Sequence, residues 1–226
     1  MKTVIISLGG SLVAPKKDFL ATRYLLAFKK LILKFSKKIR FIIIVGGGQL
    51  CRFYQAEAKK NGFTKDELDW VGIFSARLNA AFVKGFFNQN AYSEVLMSPF
   101  EKQKIKENII LGSAWKPGWT TDYVGVKFCQ IHGATEILNL TNIDYIYDKD
   151  PKKFKDARLF KNLSWLDYLK IIGRKRVPGG HYPFDPVASL LAKRLKIKLV
   201  SLNGRNLKVV ENYLTGKKFI GTIVES

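Results

Sequence analysis

Apolar and polar positions along this chain fall into two alternating rhythms. Short runs with no polar break, such as Phe41, Ile42, Ile43, Ile44 and Val45, fit strands covered on both faces. Between such runs apolar residues recur at helical spacing with lysines between them, as at Leu25, Phe28, Ile32 and Phe35. The pattern predicts a strand at Lys2–Leu8, a helix over 19–35, a strand running into Gly46, Gly47 and Gly48, and a helix from there to about residue 60. Asn61 and Gly62 stop that helix. Thr64 and Glu67 have capping-box spacing and open a long helix to about Phe87. Short strands follow over 92–97 and 108–111, then a loop rich in Gly, Pro and Trp over 112–119. Thr121 or Asp122 is the expected cap of a helix reaching His132 and stopping at Gly133.

The second half continues in the same way. A strand is predicted at Glu136–Thr141, a small hairpin within 144–150, and a Ser164-capped helix through Ile172. A Pro- and Gly-rich loop over 173–186 is long enough for a functional role. Asp185 with Pro186 opens a further helix, followed by a strand over 197–202, a helix at Leu207–Leu214 and a last strand over 219–224. Strands alternating with helices imply an α/β fold, an open αβα sandwich with a mainly parallel central sheet. No repeat or linker divides residues 1–226, so one domain is expected.

In such sheets ligands sit beyond the carboxyl ends of the strands. Three turns there suit anions: Gly9, Gly10 and Ser11; Gly46, Gly47 and Gly48; and Thr120, Thr121 and Asp122. Glycine lets backbone amides approach a ligand closely, and amides at a helix start carry partial positive charge. Arg52 stands one turn into the helix after Gly48, and its side chain leans back toward the same spot. Several such turns on one rim exceed what one phosphate needs and suggest two phosphorylated molecules side by side.

Composition narrows the partners. With 226 residues and 47% hydrophobic content, a sizeable core is available. Lys and Arg number 39 against 18 acidic residues, a net charge of +21 that favours anionic partners. The basic residues are scattered, with no tract that interleaves them with aromatics, which speaks for a basic solvated surface and against a nucleic-acid platform. Cys51 and Cys129 fall in separate predicted helices, as reduced thiols of a cytoplasmic protein do. The apolar N-terminus carries a double glycine and reads as strand and turn rather than a secretory leader. No apolar run approaches the ~20 residues that span a bilayer. His132 and His181 have no metal-ligand spacing and read as structural.

The residues resemble the amino acid kinase family over nearly the whole chain, and within it the archaeal-type uridylate kinase branch. The resemblance rests on SLGGSL from Ser7, VGGG with Arg52, DWVGIFSARLNA from Asp69, PGWTTD from Pro117, and TNIDYIYDKDPKKFKDAR from Thr141. It implies transfer of the ATP γ-phosphoryl to UMP, magnesium, and usually a homohexamer. Carried over by position, Gly9, Gly10 and Ser11 resemble the loop around the transferring phosphates, and Gly48 and Arg52 resemble ATP contacts. Thr141, Tyr147 and Asp150 resemble the donor's nucleotide pocket. Gly47 resembles a UMP contact, Asp69 the carboxylate on the UMP ribose, and Trp115, Lys116, Pro117, Gly118, Trp119, Thr120 and Thr121 the acceptor loop. The acceptor half is expected over about 1–133 and the donor half over about 134–226. Catalysis would fall to Arg52, Gly10 and Ser11, with metal ligands unassigned.

Three positions depart from the family. Ser7 stands where many members place a lysine; Lys2 is an odd offset away and points to the other face, leaving Lys116 as a replacement. Tyr145 replaces a glycine beside the adenine pocket, and the acceptor loop is longer by about two residues. No histidine occupies the position that isopentenyl phosphate kinases use. The competing readings are a kinase of another small acidic acceptor, a catalytically weak nucleotide-binding member suggested by Ser7, and a nucleic-acid module suggested by charge alone.

Overall fold

The computed structural model describes residues 1–16, 19–100, 105–175 and 182–226. In chain order the elements are β1 (Lys2–Leu8), α1 (Gly10–Val13), α2 (Thr22–Phe35), β2 (Ile39–Val45), α3 (Gly48–Lys60), α4 (Lys65–Phe87), β3 (Val95–Leu96), β4 (Ile109–Gly112), α5 (Thr121–His132) and β5 (Glu136–Thr141). They continue with β6 (Ile146–Tyr147), β7 (Leu159–Phe160), β8 (Asn162–Ser164), α6 (Trp165–Ile172), α7 (Pro186–Arg194), β9 (Lys198–Asn203), α8 (Leu207–Leu214) and β10 (Thr222–Glu225). Eight strands form one sheet in the order β3-β4-β2-β1-β5-β9-β10-β8. Every adjacent pair is parallel except β9 with β10.

Uninterrupted apolar strands serve two layers at once. Val4, Ile6, Leu8, Phe41, Ile43 and Val45 face α1, α2, α4 and α8. Their alternates Ile5, Ile42 and Ile44 face α5, α6 and α7. Burying each such Ile, Val or Phe side chain stabilises the fold by about 1.5–3 kcal/mol. The expected open sandwich with a mainly parallel sheet is therefore what forms.

Several local expectations change. The helix predicted over 19–35 starts only at Thr22, and Phe19 and Leu20 lie exposed ahead of it. Strand β3 keeps two residues of the six predicted. The hairpin expected within 144–150 does not close on itself; Tyr147 pairs with Leu159, and Ile146 with Phe160. The last strand begins at Thr222 rather than residue 219. Thr120, not Thr121 or Asp122, caps α5, its hydroxyl accepting the Tyr123 amide at 3.2 Å. Asp122 is drawn inward instead. His132 stacks on Phe128, and burial with nearby Arg40 lowers its pKa, as suits a structural imidazole. His181 lies outside the described residues.

Candidate functional site

Strands β1, β2, β4 and β5 are mutually parallel neighbours, so their carboxyl ends share one rim. The first two of the expected turns meet there. Gly9 donates its amide to Leu140 O at the end of β5, 3.0 Å, and Gly46 donates to Leu8 O, 3.1 Å. The turns also press on each other. A Cβ built on Gly10 would stand 2.1 Å from Gly48 N and 2.5 Å from Gly46 O, and one on Gly48 2.5 Å from Gly10 O. Gly48 adds a φ of +67°, a conformation glycine adopts without steric cost. The glycines thus have a packing reason before any ligand is considered.

Helix α4 fixes one side of the rim, the side expected to hold the acceptor. Its entry is the capping box read from the sequence: the Glu67 amide bonds Thr64 Oγ1, and the Thr64 amide bonds Glu67 Oε2 at 2.7 Å. From it, three polar side chains reach three backbone segments. Asp69 Oδ2 accepts the Gly118 amide at 2.8 Å. Arg77 donates to Ala114 O at 3.3 Å and Trp115 O at 2.9 Å. Asn79, only 2% exposed, donates to Gly46 O and Gly47 O at 2.9 and 3.0 Å. Asp69 was expected here; Arg77 and Asn79 were not. Their signal in the sequence is polarity where the helix pattern is burying residues, since Ile73, Ala76, Ala80, Val83 and Phe87 form the buried stripe around Asn79.

The loop expected to hold the acceptor is aromatic. Trp115 and Trp119 meet edge to face at 4.5 Å, and Trp119 and Tyr123 do the same at 4.5 Å. Lys116 Nζ rests 4.4 Å from the Trp115 ring centre and 5.4 Å from that of Trp119. Gly118 has a φ of +81°, which turns the loop back toward α5. A cavity of about 170 Å³ lies between Gly118, Trp119, Thr120, Tyr123, Asp185 and Val187.

Ser7 occupies the centre of the rim and is 4% exposed. Its hydroxyl donates to Asp122 Oδ1 at 3.1 Å, while Asp122 Oδ2 accepts the Asp185 amide at 3.0 Å. Asp185 in turn caps α7, accepting the Ala188 amide at 2.8 Å. Burial first, and the Asp185 carboxylate second, push the Asp122 carboxyl up to about 6 against the pull of those hydrogen bonds. A group whose folded pKa is raised binds its proton more tightly in the folded state, so stability falls as pH rises past the unfolded value. Asp122→Asn is therefore expected to raise the urea midpoint at pH 8, with the gain disappearing below about pH 4, near the unfolded Asp value. Equal midpoints at pH 8 would contradict this. Lys2 is about 16 Å away along β1, five residues at ~3.3 Å each. There its ammonium meets Glu136 at 2.7 Å, so it serves the opposite end of the sheet.

The positions expected to hold the donor are engaged with the protein. Thr141 Oγ1 accepts the Ile143 amide at 3.3 Å and lies 3.2 Å from Ile143 O and 3.4 Å from Leu202 O, the carbonyls to which its own proton can go. Tyr147, half-buried, sits in the β6–β7 ribbon, which Ile146 anchors by donating to Thr222 Oγ1 at 2.9 Å. Asp150 is exposed, its carboxylate accepting the Lys152 amide at 3.0 Å. Arg52 is exposed and donates to Gln49 Oε1 at 3.1 Å, one turn back toward the start of α3.

Comparison with known proteins bears on the family and the fold. The profile of the amino acid kinase family matches residues 2–203. A uridylate kinase of Methanospirillum hungatei is 33% identical, over 99% of this chain and 95% of its own length. One from Thermoplasma volcanium is 31% identical, over 99% and 98%. The crystal structure of uridylate kinase from Archaeoglobus fulgidus superposes with a TM-score of 0.84 at 26% identity, covering 99% of this chain and all of that one. Fold, rim turns and family profile lead to one conclusion: the chain belongs to the amino acid kinase family.

Proposed function

We propose that this protein transfers the γ-phosphoryl group of ATP to UMP, giving UDP and ADP. The observation that carries the reading is the α4 scaffold, which sets the Asp69 carboxylate on the Gly118 amide and the Gly46–Gly47 carbonyls on Asn79, beside the β1 turn. UMP would lie with its ribose hydroxyls on Asp69 and its phosphate toward Thr120, Thr121 and the start of α5. Gly47 and the loop residues Trp115, Lys116, Pro117 and Trp119 would complete that pocket. ATP would lie across β5, with Thr141, Tyr147 and Asp150 toward the nucleoside and Gly9, Gly10, Ser11, Gly48 and Arg52 toward its phosphates.

In-line phosphoryl transfer needs positioning and charge neutralisation more than covalent help. The acceptor is already anionic, so no strong base is required. Among the described residues no group of three or more His, Cys, Asp or Glu side chains could hold a metal ion. Asp122 and Asp185 form the acidic pair on this rim. That fits magnesium, which keeps waters and binds through substrate phosphates with one or two carboxylates, and which would supply positive charge to the phosphates when bound.

A coupled assay of ADP release with UMP, CMP and acidic amino acids as acceptors tests the proposal; turnover of an amino acid but not UMP overturns it. Arg52→Ala should lower kcat/KM roughly tenfold to hundredfold, the loss of one charge-assisted contact of about 1.5–3 kcal/mol. Full turnover by that variant would remove Arg52 from the mechanism. Ser7 favours a second reading, a nucleotide-binding protein with weak transfer, and tight ATP binding without UDP formation would select it.

The same proposal includes self-association. Trp70, Phe74 and Leu78 stand four residues apart on α4 and are 40%, 62% and 60% exposed, an apolar stripe unusual for a free surface. A homo-oligomer, the hexamer of the family expectation, would cover it; a monomer by sedimentation at micromolar concentration would refute this. None of the described helices is long and apolar enough to cross a membrane.

A further inference from the structure

A cavity of about 420 Å³ lies between the segment after α1 and the first turns of α3. It is lined by Pro15, Lys16, Gln49, Arg52 and Phe53. Two of those five side chains are cationic and none is acidic, so the cavity has positive charge without a counter-charge in its own wall. Its position follows from the glycine junction. Gly48 is wedged between Gly10 and Ala14, with its built Cβ 2.5 Å from Gly10 O and 3.2 Å from Ala14 O. The Gln49 amide then donates to Ala14 O at 3.3 Å. The cavity therefore opens one residue past that junction on both chain segments. The segment carrying Lys16 is held as well: Ala21 donates to Val13 O at 2.9 Å, and Lys16 and Phe19 form an antiparallel bridge.

Two other lysines that could serve the site have partners of their own. Lys2 pairs with Glu136 at the far end of β1, and Lys116 lies on the indoles of the acceptor loop. Ser7 brings only a hydroxyl, and it is spent on Asp122. Arg52 makes its hydrogen bond to neutral Gln49, which leaves its charge uncompensated.

We infer that Lys16 and Arg52 form a two-cation clamp for the terminal phosphate of the donor nucleoside triphosphate, Lys16 supplying the ammonium that position 7 lacks. The inference rests on the ATP-dependent reading above and deepens it. Two cations around one cavity suit a multiply charged tail, whose last phosphate carries the most charge and projects furthest from the nucleoside.

Calorimetric titration of the full chain with a non-hydrolysable ATP analogue and with ADP, each with magnesium, tests the clamp without requiring turnover. Lys16→Gln should bind the analogue about tenfold more weakly, equivalent to about 1.4 kcal/mol, and ADP within twofold of the unsubstituted protein. Its KM for ATP should rise while its KM for UMP stays within twofold. Unchanged affinity for the analogue overturns the inference, and so does an equal loss for analogue and ADP, which would place Lys16 on the inner phosphates. Lys16 is on the surface, and an unchanged urea midpoint for the variant excludes a folding defect. If the unsubstituted protein forms no UDP yet binds the analogue, the transfer reading fails while the clamp is still judged by the binding ratio.

Discussion

Gly10→Ala is expected to destabilise the protein by about 3 kcal/mol and to abolish UDP formation. The reason is geometric. The new methyl group would meet Gly48 N at 2.1 Å, Gly46 O at 2.5 Å and Gly48 Cα at 2.6 Å, all backbone atoms of the neighbouring turn. No side chain can rotate away to admit it, so the β1 turn and the start of α3 must separate. Overpacking costs about 1–3 kcal/mol where neighbours can yield, and this site belongs at the upper end of that range. Against a total of about 5–15 kcal/mol the loss is large. It would also part the two backbone turns proposed to hold both phosphates. Gly62→Ala is the control: Gly62 has a φ of +78° but nothing within 4 Å of a built Cβ. It should cost about 1–2 kcal/mol through backbone strain alone and leave activity intact. Urea unfolding of both variants with an assay of UDP formation makes the comparison. Equal stability losses would show that the turn-to-turn contact is not as tight as described.

That contact shows what sequence can and cannot reveal about such a site. Three glycines after a buried strand are visible as a motif, and an amide-lined anion site is a natural reading of them. The structure supplies a second cause that sequence cannot separate from the first, because Gly10 and Gly48 are 38 positions apart and only the parallel β1–β2 pairing brings them together. Parallel strands themselves were legible, since apolar runs without alternation occur where both faces are covered. The small β6–β7 ribbon was not. Its partners are a dozen residues apart, and two-residue strands carry too little pattern to announce a register.

The α5 cap was misplaced for a related reason. Thr120, Thr121 and Asp122 are all good capping residues, so local propensity does not rank them. What decides is tertiary: Asp122 is pulled toward Ser7 and the Asp185 amide, which leaves Thr120 to close the helix. The roles of Arg77 and Asn79 are not legible in the sequence because each acts on backbone carbonyls remote along the chain, 37 and 32 residues away in the nearest cases. A polar residue on the buried side of an amphipathic helix was the available clue. It says that a partner exists and not which one.

Asp69→Ala is expected to raise KM for UMP roughly hundredfold, with KM for ATP unchanged. The carboxylate spends one oxygen on Gly118 and has lone pairs left for the two ribose hydroxyls of a bound nucleotide. Each hydrogen bond to a charged group contributes about 1.5–3 kcal/mol, so losing two costs at least ~3 kcal/mol, close to a hundredfold. A rival cause is built into the same geometry, because removing Asp69 also frees the Gly118 turn and would disorder the acceptor loop. The two causes separate with 2′-deoxy-UMP. If Asp69 reads the ribose, the unsubstituted protein prefers UMP over the deoxy compound and the variant loses that preference. If Asp69 only holds the loop, both acceptors weaken by the same factor and the preference survives. An unchanged KM for UMP would mean that the ribose lies elsewhere, and the placement of the acceptor along α4 would fall with it.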